Sequence, residues 1–310
     1  MLSTRIISLL VFSGFLLAAS AGAQTSAPSP TPTPSSTETI PVGQTLNDLQ
    51  FRLRQSLAKP EVQRGSVGVK ITSLATGKVL FEQHAEKYFM PASNMKNYTV
   101  AAALDRLGPD YRIVTSLFAP STPDSDGIIN GDLVVFGRGD VSISARFNGS
   151  EDLMKSIDPL VDKVISAGIK KINGGIVGDD SYFRGFAIPQ GWEWDDLQWS
   201  YGAEVSGLPI NDSVVSLSVT PGPSGYSCNV KIVPFNPVIR VMNQCVTGAA
   251  GSRRTLKIHK KLDQNVLELS GSLPIGDNGF SGAVSVSRPA ELFAALLRQR
   301  LIERGVTVGG

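Results

Sequence analysis

Ser93-Asn94-Met95-Lys96 places a hydroxyl and an amine three residues apart. On a helix this spacing puts both groups on one face, with Cβ atoms about 5–6 Å apart. A serine hydroxyl is a weak nucleophile at neutral pH and needs an adjacent base. A lysine can act as that base where burial and a helix N-terminus favour its neutral form. The same helix end offers backbone N–H groups to the oxyanion that forms in acyl transfer. The tetrad therefore suits acyl-serine chemistry. By its letters alone it also describes a helix cap followed by a solvated lysine.

The surrounding elements must decide between these readings. A helical pattern, LNDLQFRLRQSLA, starts near Leu46 and ends before Pro60. Two β-rich runs, VGVKITSL and KVLFE, flank Ala75-Thr76-Gly77, a hairpin signal. Pro91-Ala92 then leads into SNMKNYTVAAALDRLG, a helix expected to start at or just before Ser93 and to stop at Gly108-Pro109. Strand, hairpin and an Ala-rich helix opening on a serine form a definite frame for the tetrad.

From Tyr111 to about Pro289 the pattern is β-rich with many Gly and Pro turns, interrupted by one expected helix over Ser150–Gly168. A second helix is expected over Pro289–Arg304, and Val306-Thr307-Val308 reads as the start of a strand. Residues 1–23 read as a secretory signal peptide. Arg5 supplies the positive start, Ile6 to Ala19 is almost wholly apolar, and Ala21-Gly22-Ala23 forms a small-residue cleavage site. That run falls short of the roughly 20 residues a spanning helix needs, and no later stretch is apolar enough for a stable membrane span. Residues 24–45 are a Ser/Thr/Pro-rich linker, a composition that cannot bury a core. An exported, periplasmic or cell-envelope protein is expected.

Loss of Arg5 takes the formal net charge from +2 to +1, which argues against a nucleic-acid surface. The only cysteines, Cys228 and Cys245, read as a disulfide worth about 3 kcal/mol or as two unpaired thiols. With His84 and His259 far apart, no ligand spacing for a metal emerges, and no cofactor is expected. Arg138-Gly139-Asp140 reads as a turn in a β-rich region. Trp192, Trp194 and Trp199 suggest burial of a loop more than sugar stacking.

Several ordered segments carry a family resemblance. GVKITSLATGKVLFE and FMPASNMKNYTVAAAL resemble the opening of penicillin-binding D-Ala-D-Ala peptidases of the low-molecular-mass class C type, which combine carboxypeptidase and endopeptidase activity. NGDLVVFGRGDVSIS, NGGIVGDDSYFRG, the Trp-rich run into EVSGLPINDSVV, and RPAELFAALLRQRLIERG are similar to later segments of that family. The resemblance covers the chain from about residue 46 to its last residue. It implies a transpeptidase/β-lactamase-like α/β domain, with helices on an antiparallel sheet, interrupted after the S-x-x-K helix by β-rich inserted domains. On this reading residues 46–110 begin the catalytic domain, 111–288 are the insertion and 289–310 form a helix returning towards the catalytic domain.

The resemblance further implies that Ser93 is the acylated nucleophile and Lys96 its proton acceptor. Asp179, with Phe183 beside it, would meet an amine of the peptidoglycan stem peptide, although Asp179-Asp180 also fits a turn capping a strand. β-Lactam antibiotics would be covalent inhibitors. Two departures stand out. The family's S-x-N and K-T-G elements, expected after the return helix, do not occur there before Gly310, which reads as a truncated chain. Asn97 stands where the family commonly has an aliphatic residue. A serine D-Ala-D-Ala carboxypeptidase/endopeptidase is therefore the expectation. The competing readings are a non-catalytic cell-wall-binding remnant and a β-lactamase or esterase built on the same tetrad; the ordered inserted segments disfavour the last.

Overall fold

The computed structural model describes residues 45–310, in two units that divide after Thr99. The expected signal peptide and all but the last residue of the expected linker lie outside the described residues.

The first unit opens with α1 (Leu46–Leu57), whose start is fixed chemically. Thr45 Oγ1 accepts from the Asp48 N–H at 3.2 Å, while Asp48 Oδ2 accepts from the Thr45 N–H at 3.0 Å. This reciprocal capping box satisfies two donors that the helix cannot use internally. Pro60 does not merely end the pattern but starts a short helix, α2 (Pro60–Gln63), where its missing N–H costs nothing. β1 (Val69–Thr72) and β2 (Val79–Gln83) form the expected antiparallel hairpin. Gly77 takes φ +69° in the connecting turn, a conformation that disfavours a Cβ. Gln50 Nε2 donates to Leu80 O at 2.7 Å, tying α1 to β2. A 3-10 turn over Ala92–Asn94 leads into α3 (Met95–Leu107), within which the units divide. Gly108, at φ +80°, ends that helix by donating to Leu104 O.

The second unit is strand-rich. Its first strands are β3 (Ser116–Phe118), β4 (Ile128–Ile129) and β5 (Leu133–Phe136). The expected helix follows as a 3-10 turn over Leu153–Ser156 and then α4 (Asp158–Ser166), with Pro159 placed in its first turn. After β6 (Lys171–Ile172) and β7 (Ile176–Asp179) come β8 (Val214–Thr220), β9 (Asn229–Val233) and β10 (Arg240–Asn243). Next are β11 (Val246–Gly248), β12 (Lys257–Lys260), β13 (Val266–Ser270), β14 (Ser272–Pro274) and β15 (Phe280–Ser285). α5 (Pro289–Glu303) and β16 (Thr307–Val308) complete the described chain.

These strands form small sheets. β3 and β5 are antiparallel while β5 and β7 are parallel, and β4, β6 and β16 pair in parallel. β15-β8-β9 is an antiparallel sheet. β10-β13-β12 is mixed, and β11 pairs in parallel with β14. Helix α5 packs against β7, β16 and α4. Leu292, Phe293, Leu296, Leu297 and Leu301 on α5 are fully buried, each contributing about 1.5–3 kcal/mol of apolar burial. The close fit depends on Gly178 in β7, because a Cβ there would sit 2.4 Å from Ala290 O. The two helices are also joined by charge. Asp158, in the first turn of α4, accepts from Arg300 Nε at 2.7 Å and Nη2 at 3.0 Å, and from Arg304 Nη1 at 3.2 Å. A carboxylate at a helix start and guanidiniums in a last turn also suit both helix dipoles. Cys228 and Cys245 are joined by a disulfide, with Cα atoms 5.4 Å apart.

Candidate active site

The tetrad is built by a change of helix type. Ala92 adopts φ +42°, a left-handed conformation uncommon for a residue with a Cβ, and turns the chain into the 3-10 segment. Asn94 N–H then donates to Pro91 O at 2.9 Å. The regular helix starts only at Met95, two residues later than a start at Ser93 itself. Ser93 therefore sits in the turn that feeds the helix N-terminus, with Lys96 in its first turn. Lys96 Nζ donates to Ser93 Oγ at 3.0 Å. This lies within the 2.6–3.2 Å reach required between a nucleophile and its base. Both residues are exposed, as are Tyr98, Val100, Leu104 and Leu107 along α3. Asn97 is exposed too.

Asp179 and Phe183 belong to the second unit, whereas Ser93 and Lys96 belong to the first. Asp179 ends β7, and its Oδ1 accepts from the Ser181 N–H at 3.0 Å. Hydrogen bonding by Ser181 holds the Asp179 carboxyl below the usual carboxylate range. Asp180 instead accepts from Ser206 Oγ at 2.9 Å. Phe183 packs edge-on against Tyr182 and lies over Gly139, where a Cβ would approach its ring to 2.9 Å.

Arg138-Gly139-Asp140 is held inside its own fold. Arg138 lies 4.6 Å from the centre of the Phe136 ring and donates to Val114 O and Ser116 Oγ, while Asp140 accepts from Ser142. Of the three tryptophans, Trp199 is half-buried against Phe280, whereas Trp192 and Trp194 are exposed, so only one of them buries the loop. Among the described residues no cluster of His, Cys, Asp or Glu could hold a metal, and no helix is long and apolar enough to cross a membrane.

Comparison with known proteins gives this arrangement its context. Residues 49–310 match the D-Ala-D-Ala carboxypeptidase 3 (S13) family. The chain belongs to that family. A D-alanyl-D-alanine carboxypeptidase of an Actinomadura species is 32% identical over 274 residues, covering 86% of this chain and 49% of the relative. The carboxypeptidase DacB of Haemophilus influenzae is 23% identical, covering 79% of this chain and 49% of the relative. The chain thus spans about half the length of the curated relatives it matches. The crystal structure of penicillin binding protein 4 (dacB) from Haemophilus influenzae superposes with a TM-score of 0.65 at 20% identity, over 77% of this chain and 51% of that one. This likeness establishes a shared mixed helix-and-sheet fold. A second structure of that protein, complexed with a β-lactam, has a TM-score of 0.57 over 78% of this chain and 49% of that one.

Sequence reasoning overlooked one feature of the second unit. Lys260 and Ser287 are buried together, with Lys260 Nζ donating to Ser287 Oγ at 2.7 Å. The alternation of β12 carries the signal, since Lys260 falls on the same strand face as Ile258.

Proposed function

We propose that this chain carries the nucleophile of a serine D-Ala-D-Ala carboxypeptidase/endopeptidase acting on peptidoglycan stem peptides. The observation that carries the proposal is the Ser93–Lys96 pair at the start of α3, in a chain of the S13 family. Ser93 Oγ attacks the carbonyl carbon of the penultimate D-Ala as Lys96 Nζ takes the hydroxyl proton. The C–N bond then breaks, the proton passes to the departing amine of D-Ala or of the cross-linked residue, and an acyl-serine remains. Water hydrolyses that ester and restores the hydroxyl. N–H groups at the beginning of α3 are suited to the developing oxyanion. A β-lactam would acylate the same oxygen by opening its cyclic amide.

In this account, residues 46–110 form part of a transpeptidase-like catalytic domain, 111–288 the inserted region and 289–310 the returning helix. Asp179 and Phe183 serve the amine of the stem peptide. Export by residues 1–23 would bring the chain to the cell envelope, where that substrate lies. The test is labelling with a fluorescent penicillin beside a Ser93→Ala control. Covalent label confined to the unsubstituted chain supports the reading. A folded chain that binds isolated cell walls without any label favours the non-catalytic alternative.

A further inference from the structure

A cavity of about 170 Å³ opens in the second unit, lined by Trp194, Leu197, Glu204, Lys260, Asp263 and Ser287. Lys260 is only 7% exposed and Ser287 only 1%. An ammonium carries three donors, and one of these goes to Ser287 Oγ at 2.7 Å. Among the described residues no carboxylate lies within ion-pair distance of Lys260, which leaves two donors for an occupant of the cavity. Glu204 and Asp263 offset the Lys260 charge only at longer range, so an anionic group reaching Nζ would supply the direct hydrogen bonds that the cavity walls do not. Burial holds the Lys260 amine below the ordinary lysine range, with Arg288 acting in the same direction and Glu204 and Asp263 opposing it.

The walls restrict the anion further. Glu204 and Asp263 bring negative charge to the same cavity, each with one oxygen engaged by Arg288 (its N–H at 2.8 Å from Glu204 Oε2, its Nη1 at 3.4 Å from Asp263 Oδ1), while Trp194 and Leu197 add apolar surface. A simple inorganic anion would meet those carboxylates unfavourably. A molecule with a carboxylate at one end, an ammonium beside it and a small apolar group satisfies all three wall types. Size agrees: a cavity of about 150 Å³ can hold benzene, with six heavy atoms, and alanine also has six.

The geometry points to a second ligand site for a free amino acid of alanine size, with its carboxylate on Lys260 Nζ and its ammonium towards Glu204 and Asp263. The identification of that amino acid as D-alanine rests on the proposed reaction, which releases it. The cavity would then sense the product.

The test is a tryptophan-fluorescence titration of the full chain carrying Ser93→Ala, so that acyl transfer contributes nothing. D-Alanine, L-alanine and propionate are compared, in that background and with Lys260→Met added. A saturable response to alanine, weakened at least about ten-fold by Lys260→Met and at least about ten-fold weaker for propionate, supports the site. No saturable response to either enantiomer up to about 50 mM, an unchanged response in Lys260→Met, or equal affinity for propionate overturns it. Should Lys260→Met fail to fold by circular dichroism, Asp263→Asn takes its place. Asp263 is exposed at φ +52°, which asparagine tolerates. That variant must weaken alanine several-fold and leave propionate unchanged, and unchanged alanine affinity overturns the assignment. Because the titration reads binding in a chain without its nucleophile, its failure is separable from failure of penicillin labelling.

Discussion

Asp158→Asn removes the charge at the joint between α4 and α5 while nearly preserving shape. In the native chain the two carboxylate oxygens meet Arg300 Nε at 2.7 Å and Nη2 at 3.0 Å, and Arg304 Nη1 adds a contact at 3.2 Å. An asparagine keeps one acceptor but turns an NH₂ towards a guanidinium N–H. A hydrogen bond to a charged group contributes about 1.5–3 kcal/mol. The Asp158 and Arg300 side chains are 25% and 21% exposed, so solvent screening brings the expected loss to the lower part of that range, about 2 kcal/mol. For a unit of about 200 residues this corresponds to a Tm lower by about 4–8 °C.

The pH dependence supplies an independent check. Arg300 hydrogen bonding holds the Asp158 carboxyl below its ordinary range. A carboxylate whose folded pKa is depressed stabilises above its unfolded value of about 3.9, and that contribution fades as pH falls through the folded value. The Tm difference between the two proteins should therefore be flat from about pH 7 to 5 and shrink below about pH 4. Calorimetric melts across that range provide the assay. An unchanged Tm at pH 7, or a difference that widens in acid, would refute the reasoning.

Three further outcomes are expected. Gly178→Ala should destabilise the second unit by at least about 1–3 kcal/mol in chemical denaturation, because its Cβ would press on Ala290 O from 2.4 Å. Cys228→Ser with Cys245→Ser should cost about 3 kcal/mol by the same measurement, since the disulfide closes a loop spanning 17 positions of sequence. Lys96→Met should slow penicillin acylation by about 10²–10⁴-fold, measured by stopped-flow or quenched labelling, while leaving the melting transition nearly unchanged because the side chain is exposed.

The local features of this fold were legible in sequence. The hairpin around Gly77, the α3 stop at Gly108 and the whole of α5 follow from turn residues and apolar periodicity acting over a few positions. The 3-10 entry into α3 was not legible, because the left-handed Ala92 has no glycine or asparagine to announce it. The parallel pairings were hidden as well. β4, β6 and β16 are two-residue strands whose partners lie far apart in the chain, so no turn chemistry links them. Asp158 and Arg300, separated by 142 positions, meet only through helix packing. The Ser93–Lys96 pair could be read directly, since helical spacing brings the two groups together wherever the tetrad folds. Lys260 was passed over because a lysine in a short strand reads as a solvent-facing residue, and only the buried face of β12 shows otherwise.

The central claim is that Ser93 is the residue acylated in this chain. Incubation with penicillin, digestion and mass spectrometry of the peptides locates the adduct directly. The account predicts a penicilloyl mass on the peptide containing Ser93 and its loss in Ser93→Ala. An adduct on another serine, or one retained by Ser93→Ala, would contradict it.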